Sequence, residues 1–161
     1  MEHNELRVYY SSTFFNSGDL QKFAIQYLAK LPTEVTCLLS RGSSGCAIAS
    51  AMLAHAVYPL NHCHFRKEHD NVHYEDYAGD YHKSNICAIV DDLIETGETL
   101  KKMMDDAKER DISVKYVLVG HIHNDDRNTE IVNKCREFGI QIIEVEKDEN
   151  GNRIKEGRYC K

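Results

Sequence analysis

The most informative stretch of this sequence is Ile86–Leu100, which reads ICAIVDDLIETGETL. A short apolar run typical of a buried strand ends in two carboxylates, Asp91 and Asp92, and a Thr-Gly-Glu-Thr turn then opens an amphipathic helix. Ligands of open parallel sheets bind at the carboxyl ends of the strands. A helix N-terminus with threonine hydroxyls and a glycine is an anion site. The segment therefore predicts a site for a phosphorylated ligand that carries hydroxyls or a metal near its phosphate.

Outside this segment, strand-length and helix-length apolar patterns alternate along the chain. The predicted strands are Arg7–Tyr10, Val35–Leu39, Leu60–Phe65, Ile86–Val90, Val114–Val119 and Ile140–Val145. The predicted helices are Asp19–Leu31, Gly45–Val57, Glu98–Arg110 and Asn128–Phe138. Such alternation predicts an α/β fold with a parallel sheet and helices on both faces. The polar stretch Arg66–Ser84 shows neither period and is expected to be an irregular, functional loop, with the role of residues 70–81 left open.

Composition limits the possible classes of function. The chain has 161 residues, enough for a single domain, and a formal net charge of −6, which argues against a nucleic-acid partner. Six cysteines without a C-x-x-C pair, and a polar N-terminus, favour a reduced, cytoplasmic protein. The longest apolar stretch, Cys46–Val57, is too short to span a membrane. No membrane partner is therefore expected.

The Ile86–Leu100 segment resembles the phosphoribosyl pyrophosphate signature of type I phosphoribosyltransferases at every position. The resemblance implies that fold, with a core over about 35–145 and a small hood from the terminal segments 1–34 and 146–161. It implies that Asp91 and Asp92 approach the ribose hydroxyls and a Mg²⁺ ion. It also implies a 5-phosphate loop made by Glu95, Thr96, Gly97, Glu98 and Thr99. The implied partners are phosphoribosyl pyrophosphate, a nucleobase and a second copy of the chain in a homodimer.

A second glycine-containing turn follows the strand Val35–Leu39. It consists of Ser40, Arg41, Gly42, Ser43 and Ser44, and it lacks the Lys-Ser/Thr ending of a nucleotide P-loop. Its position resembles that of the pyrophosphate loop in the same family, and its Ser-Arg-Gly resembles the adenine-type version of that loop. A purine substrate is therefore favoured. The resemblance also implies a cis peptide bond near Leu39–Ser40. A plain strand–helix turn with an exposed arginine is the alternative.

Further candidates come from the remaining polar residues. Arg66 and Lys67 open the irregular stretch, where the resemblance implies a mobile loop that closes over the pyrophosphate. Arg41 and Lys67 would then neutralise the leaving group. Glu95 would act as general base, the alternative being a solvent-facing residue of the phosphate loop. His121 and His123 follow a strand and are candidates for the base pocket. Either His-x-His pair, His62/His64 or His121/His123, could instead hold zinc, although the cysteine spacing of common zinc sites is absent from the sequence.

These expectations combine into one main hypothesis and two alternatives. The main hypothesis is a magnesium-dependent transfer of 5-phosphoribose from phosphoribosyl pyrophosphate to a nitrogenous base. The first alternative is a protein of the same fold that senses phosphoribosyl pyrophosphate without catalysis. The second is a general α/β module for another phosphorylated metabolite, which would release no pyrophosphate with any base.

Overall fold

The computed structural model describes residues 17–66 and 77–147, together with Asn150. Within these ranges the chain forms one six-stranded sheet flanked by helices. The strands are β1 (Cys37–Arg41), β2 (Asn61–Phe65), β3 (Tyr77–Gly79), β4 (Cys87–Ile94), β5 (Val114–Ile122) and β6 (Gln141–Glu144). The helices are α1 (Ser17–Lys30), α2 (Gly42–His55), α3 (Glu98–Glu109) and α4 (Thr129–Glu137), with a 3-10 turn over Asp126–Asn128. The strand order is β3-β2-β1-β4-β5-β6.

The helices cover both faces of the sheet and bury a separate apolar layer on each. Neighbouring residues of β4 point to opposite faces, so Ala88 and Val90 join one layer while Ile89 joins the other. The first layer contains Phe23 and Tyr27 of α1 with Ile48 and Met52 of α2. The second contains Leu100 and Met103 of α3 with Ile131 and Cys135 of α4. The predicted α/β architecture with helices on both faces is confirmed.

Helix α1 lies within residues 1–34, the segment predicted as a candidate part of the hood. Phe23, Ala24 and Tyr27 are buried at the three-to-four spacing of one helical face. This stripe packs in the same layer as α2, so the helix is part of the core. Residues 1–16, 148–149 and 151–161, which make up the rest of the predicted hood, lie outside the described residues.

The predicted parallel sheet carries one antiparallel strand at an edge. Four strand pairs are parallel: β1–β2, β1–β4, β4–β5 and β5–β6. The fifth pair, β2–β3, is antiparallel. β3 lies inside the stretch 66–84 that was expected to be irregular. It is short and mostly exposed, so its residues carry no apolar run that would reveal a strand. Gly79 occurs at φ +123, and a Cβ there would lie 2.1 Å from the His62 carbonyl oxygen.

Two strands extend further than their apolar runs. β4 was predicted to end at Val90 and β5 at Val119, but they continue to Ile94 and Ile122. Asp91 pairs with Val119, and Leu93 pairs with His121, so the backbone ladder continues beneath polar side chains. Backbone pairing depends on a partner strand and not on side-chain polarity, which explains the difference.

The order of the strands creates a crevice between β1 and β4. From β1 the chain passes through α2 to β2 on one side, whereas from β4 it passes through α3 to β5 on the other. Because the connections after β1 and β4 lead to opposite sides, an opening is left at the carboxyl ends of these two strands. This is the usual ligand position in such sheets.

Candidate functional site

A cavity of about 570 Å³ lies at the carboxyl ends of β1 and β4. Its wall is formed by the start of α2, the end of β4, the following turn and the start of α3. The lining residues include Arg41, Gly42, Ser43, Ser44, Asp91, Asp92, Glu95, Thr96, Gly97, Glu98, Thr99 and His123. The two segments singled out in the sequence, which are about 50 residues apart in the chain, therefore meet at one site.

The two aspartates are fixed by backbone hydrogen bonds. The Asp91 carboxylate accepts from the Asp92 N–H at 3.0 Å, and the Asp92 carboxylate accepts from the Leu93 N–H at 3.0 Å. The Asp91 carbonyl accepts from the hydroxyl of Tyr27, which is fully buried, at 2.8 Å. Both carboxylates are half-buried at the cavity wall. Fixed, partly desolvated carboxylates can bind ligand hydroxyls or a hard cation.

The turn between β4 and α3 is shaped by Gly97. This residue has φ +83, in the left-handed region that favours glycine, and it directly precedes the first residue of α3. A Cβ at Gly97 would lie 2.5 Å from Cγ2 of Ile131. The Thr96 hydroxyl accepts weakly from the Glu98 N–H at 3.4 Å. The N-terminal end of α3 therefore borders the cavity, and the positive end of the helix dipole favours an anion there.

Asn128 holds this turn in place and was not recognised as a site residue from the sequence. Its amide donates to the Glu95 carbonyl at 2.8 Å and to the His123 carbonyl at 2.9 Å. Asn128 is buried, and His123 donates its own N–H to the Ile94 carbonyl at 2.8 Å. The sequence marked Asn128 only as the start of a helix. Its partner Glu95 is 33 residues away, so local pattern gave no signal for the contact.

We expect Asn128→Ala to lower the free energy of unfolding by about 1–3 kcal/mol, because it leaves two partly buried hydrogen-bond acceptors, the Glu95 and His123 carbonyls, without their donor. The matched control is Asn133→Ala, an exposed asparagine on α4, where the change should stay within about 0.5 kcal/mol. Urea unfolding of both variants measures the difference. Equal effects in the two variants would contradict the role assigned to Asn128.

Arg41 lines the cavity, but its guanidinium already has a partner. Nη1 of Arg41 lies 2.7 Å from the Asp106 carboxylate of α3, and the two side chains are 8% and 12% exposed. Lys102 also approaches Asp106, at 3.3 Å. The ion pair joins the end of β1 to α3 beneath the cavity. The sequence predicted an arginine at the pyrophosphate loop, but it did not reveal the counter-ion 65 residues away.

Ser40 does not face the cavity. It is fully buried, and its hydroxyl lies 2.7 Å from Nε2 of His62 and 2.9 Å from Nδ1 of His64. Burial, with a smaller contribution from the charge of His64, lowers the pKa of His62 to about 4. The Leu39–Ser40 peptide bond was predicted to be cis, but it is trans. The trans form is lower in energy by about 2.5–4 kcal/mol for a residue other than proline.

The remaining candidates divide into three groups. His123 is exposed and lines the cavity, whereas His121 is buried with Nδ1 3.4 Å from the Glu146 carboxylate. Arg66 follows β2 directly, and its buried Nη1 has no hydrogen-bond partner in the described part of the chain. Such a donor is suited to an anion. Lys67 lies outside the described residues, as does most of the loop 70–81.

Comparison with solved structures defines the class of fold as that of type I phosphoribosyltransferases. Orotate phosphoribosyltransferase from Francisella tularensis is similar at TM-score 0.61 and 16% identity, over 82% of this chain and 68% of that one. Adenine phosphoribosyltransferase from Saccharomyces cerevisiae is similar at TM-score 0.55 and 14% identity, over 83% and 82% of the two chains. UMP synthase from Leishmania donovani is similar at TM-score 0.62 and 20% identity, over 79% of this chain.

This chain spans only 26% of the length of that UMP synthase. Neither the family models nor the curated protein sequences contain a match to the chain. The similarity to solved structures, at these low identities, establishes the fold. None of the helices in the described ranges is both long and apolar enough to cross a membrane.

Proposed function

We propose that this chain is a magnesium-dependent phosphoribosyltransferase that transfers 5-phosphoribose from phosphoribosyl pyrophosphate to a nitrogenous base, with a purine favoured. One observation carries the proposal: the signature segment Ile86–Leu100 folds as strand, turn and helix, and it lines the cavity at the carboxyl ends of β1 and β4. The three similar enzymes named above support phosphoribosyl transfer as the general reaction.

The cavity residues can be given roles in this reaction. Asp91 and Asp92 would accept hydrogen bonds from the ribose 2- and 3-hydroxyls. The turn Glu95–Thr99 would bind the 5-phosphate through backbone N–H groups and threonine hydroxyls, at the positive end of α3. The residues Gly42–Ser44 begin α2 on the opposite wall, and their N–H groups would bind the pyrophosphate in the same way.

A magnesium ion fits the donor atoms of this cavity. Four carboxylates line it, from Asp91, Asp92, Glu95 and Glu98, and carboxylate oxygens are the ligands that Mg²⁺ prefers. The substrate itself carries several negative charges, so a divalent cation would reduce its repulsion from the aspartates. When bound, Mg²⁺ supplies positive charge that stabilises the departing pyrophosphate.

The chemical step would break the bond between ribose C1 and the pyrophosphate oxygen and form a bond between C1 and a base nitrogen. Such displacements pass through an oxocarbenium-like state, so a stabilised leaving group is the main requirement. Arg66, which follows β2, and Lys67 would contribute to it. Glu95 is exposed at the cavity and would take the proton of the base nitrogen, with His123 beside the base.

The test is pyrophosphate release from phosphoribosyl pyrophosphate and Mg²⁺ across a panel of purine and pyrimidine bases. We expect release with one base, adenine being the first to try, and its loss in the double variant Asp91→Asn/Asp92→Asn. Release that persists in the double variant would overturn the assigned site. Omission of Mg²⁺, with a chelator present, should also abolish release.

The second candidate function is a non-catalytic sensor of phosphoribosyl pyrophosphate. The specific observation that favours it is the Arg41–Asp106 ion pair, because a neutralised guanidinium is a weak stabiliser of a leaving pyrophosphate. A sensor would bind phosphoribosyl pyrophosphate in calorimetry, lose binding in the Asp91/Asp92 double variant, and release no pyrophosphate with any base. A chain that neither binds nor releases would contradict both candidates.

A further inference from the structure

A thiol and two imidazoles converge on the side of the sheet that α2 covers. Donor atoms of Cys46, His62 and His64 lie within 4.8 Å of one another, and all three residues are half-buried. None of these three residues lines the cavity at the carboxyl ends of β1 and β4. The cluster is therefore separate from the site proposed above.

The register of the sheet explains why these side chains meet. His62 and His64 are two residues apart on β2, so their side chains point to the same face of the sheet. Their register partners on β1 are Leu38 and Ser40, whose side chains lie on that face too. Leu38 belongs to the layer that α2 covers. Helix α2 approaches this face closely at Gly45, where a Cβ would lie 2.7 Å from the Val90 carbonyl oxygen. This close approach brings Cys46, the next residue, down to the two histidines.

We propose that Cys46, His62 and His64 form a binding site for a zinc-class transition-metal ion. Sulfur and imidazole nitrogen are the ligands that Zn²⁺ prefers, whereas Mg²⁺ prefers oxygen. Bond lengths of about 2.3 Å to sulfur and about 2.0–2.1 Å to nitrogen place tetrahedral ligands about 3.3–3.6 Å apart. Donors already within 4.8 Å reach that spacing by small side-chain rotations. Three protein ligands leave the fourth position for water.

The surroundings of the cluster support metal binding. The Ser40 hydroxyl, itself fully buried, contacts a ring nitrogen of each histidine at 2.7 and 2.9 Å and so fixes the orientation of both rings. Partners of this kind orient metal-binding histidines and raise their affinity. The ion would join the N-terminal part of α2 to β2. This inference does not depend on the proposed transferase activity.

The first experiment titrates the full-length chain with Zn²⁺ in a calorimeter after removal of metals with a chelator. We expect one ion per chain at this site. The affinity should fall by at least about 10–100-fold in Cys46→Ser and in His62→Gln, because loss of an outer-shell partner alone typically costs that much and these variants lose a ligand. His55→Gln is the matched control, because His55 lies on α2 outside the cluster, and its affinity should equal that of the normal chain. If Cys46→Ser and His62→Gln bound Zn²⁺ as tightly as the His55→Gln control and the normal chain, the proposal would be overturned.

A second measurement uses the unaltered protein and is independent of variant folding. Cys46 is half-exposed, whereas Cys37, Cys63, Cys87 and Cys135 are buried. Alkylation followed by mass spectrometry should label Cys46 in the metal-free chain, and Zn²⁺ should protect it while Mg²⁺ does not. Labelling of Cys46 at the same rate with and without saturating Zn²⁺ would contradict the site.

Discussion

Asp106→Ala is expected to lower the free energy of unfolding by about 3–5 kcal/mol, because it leaves the Arg41 guanidinium charged and buried without its counter-ion. The two groups are 2.7 Å apart, and only 8% of the Arg41 side chain is exposed. A buried charge cannot recover the hydration that folding removed. Urea unfolding followed by circular dichroism measures the effect.

Helix α3 supplies a matched control for this variant. Asp105 is the preceding residue, is 58% exposed and pairs with Lys101 at 3.7 Å, so Asp105→Ala should change stability by less than about 1 kcal/mol. The double variant Arg41→Met/Asp106→Leu removes both charges and should recover most of the lost stability. A loss for Asp106→Ala no larger than that for Asp105→Ala would contradict the buried pair.

The same double variant separates the two roles of Arg41. If Arg41 stabilises the leaving pyrophosphate, a stably folded Arg41→Met/Asp106→Leu chain will release pyrophosphate more slowly than the normal protein. If the arginine serves only to join β1 to α3, the rate of release will be unchanged.

Gly97→Ala is expected to weaken the binding of phosphoribosyl pyrophosphate by about 30-fold to several thousand-fold. The left-handed conformation costs an alanine about 1–2 kcal/mol, and the contact of its Cβ with Ile131 adds about 1–3 kcal/mol. The sum of about 2–5 kcal/mol corresponds to that range at about 1.4 kcal/mol per tenfold. The strained turn can relax only by moving the N–H groups that would hold the 5-phosphate. Calorimetry with Mg²⁺ present measures the affinity.

Gly139→Ala is the control that isolates the effect of position. Gly139 also has a left-handed φ, of +70, but a Cβ there would meet nothing within 4 Å. It follows α4, outside the cavity lining. We expect it to lose about 1–2 kcal/mol of stability with unchanged ligand affinity. If Gly97→Ala bound phosphoribosyl pyrophosphate as well as Gly139→Ala does, the turn at Gly97 would not be the phosphate site.

The sequence was sufficient to predict the fold where side-chain pattern and local chemistry agree. Ile86–Leu100 combines an apolar run, adjacent carboxylates and a Thr-Gly turn, and each of these features constrains the backbone directly. The burial of α1 and α3 along one stripe follows from the spacing of their apolar residues. These local rules were enough to identify the strand–turn–helix that borders the cavity.

Other features depend on contacts between distant residues, and the sequence did not reveal them. Asp106 pairs with Arg41 across 65 residues, and Asn128 binds the turn at Glu95 across 33. β3 is a strand only because β2 offers it an edge, since its own three residues lack an apolar pattern. In each case a residue's role is set by a partner that the fold brings near, and no local period records that partner.

The hydrogen bond from Tyr27 to the Asp91 carbonyl has a consequence for protein engineering. The signature segment does not fix its own geometry, because the Asp91 carbonyl accepts a hydrogen bond from a hydroxyl on α1, a helix that precedes β1 in the chain. Gly120 completes this support: a Cβ there would lie 2.6 Å from the Asp92 carbonyl oxygen, which is a collision with the backbone, and 3.4 Å from the Tyr27 hydroxyl, which is ordinary contact. A graft of residues 86–100 into another α/β scaffold would therefore need a tyrosine donor and a neighbouring glycine to reproduce the aspartate geometry.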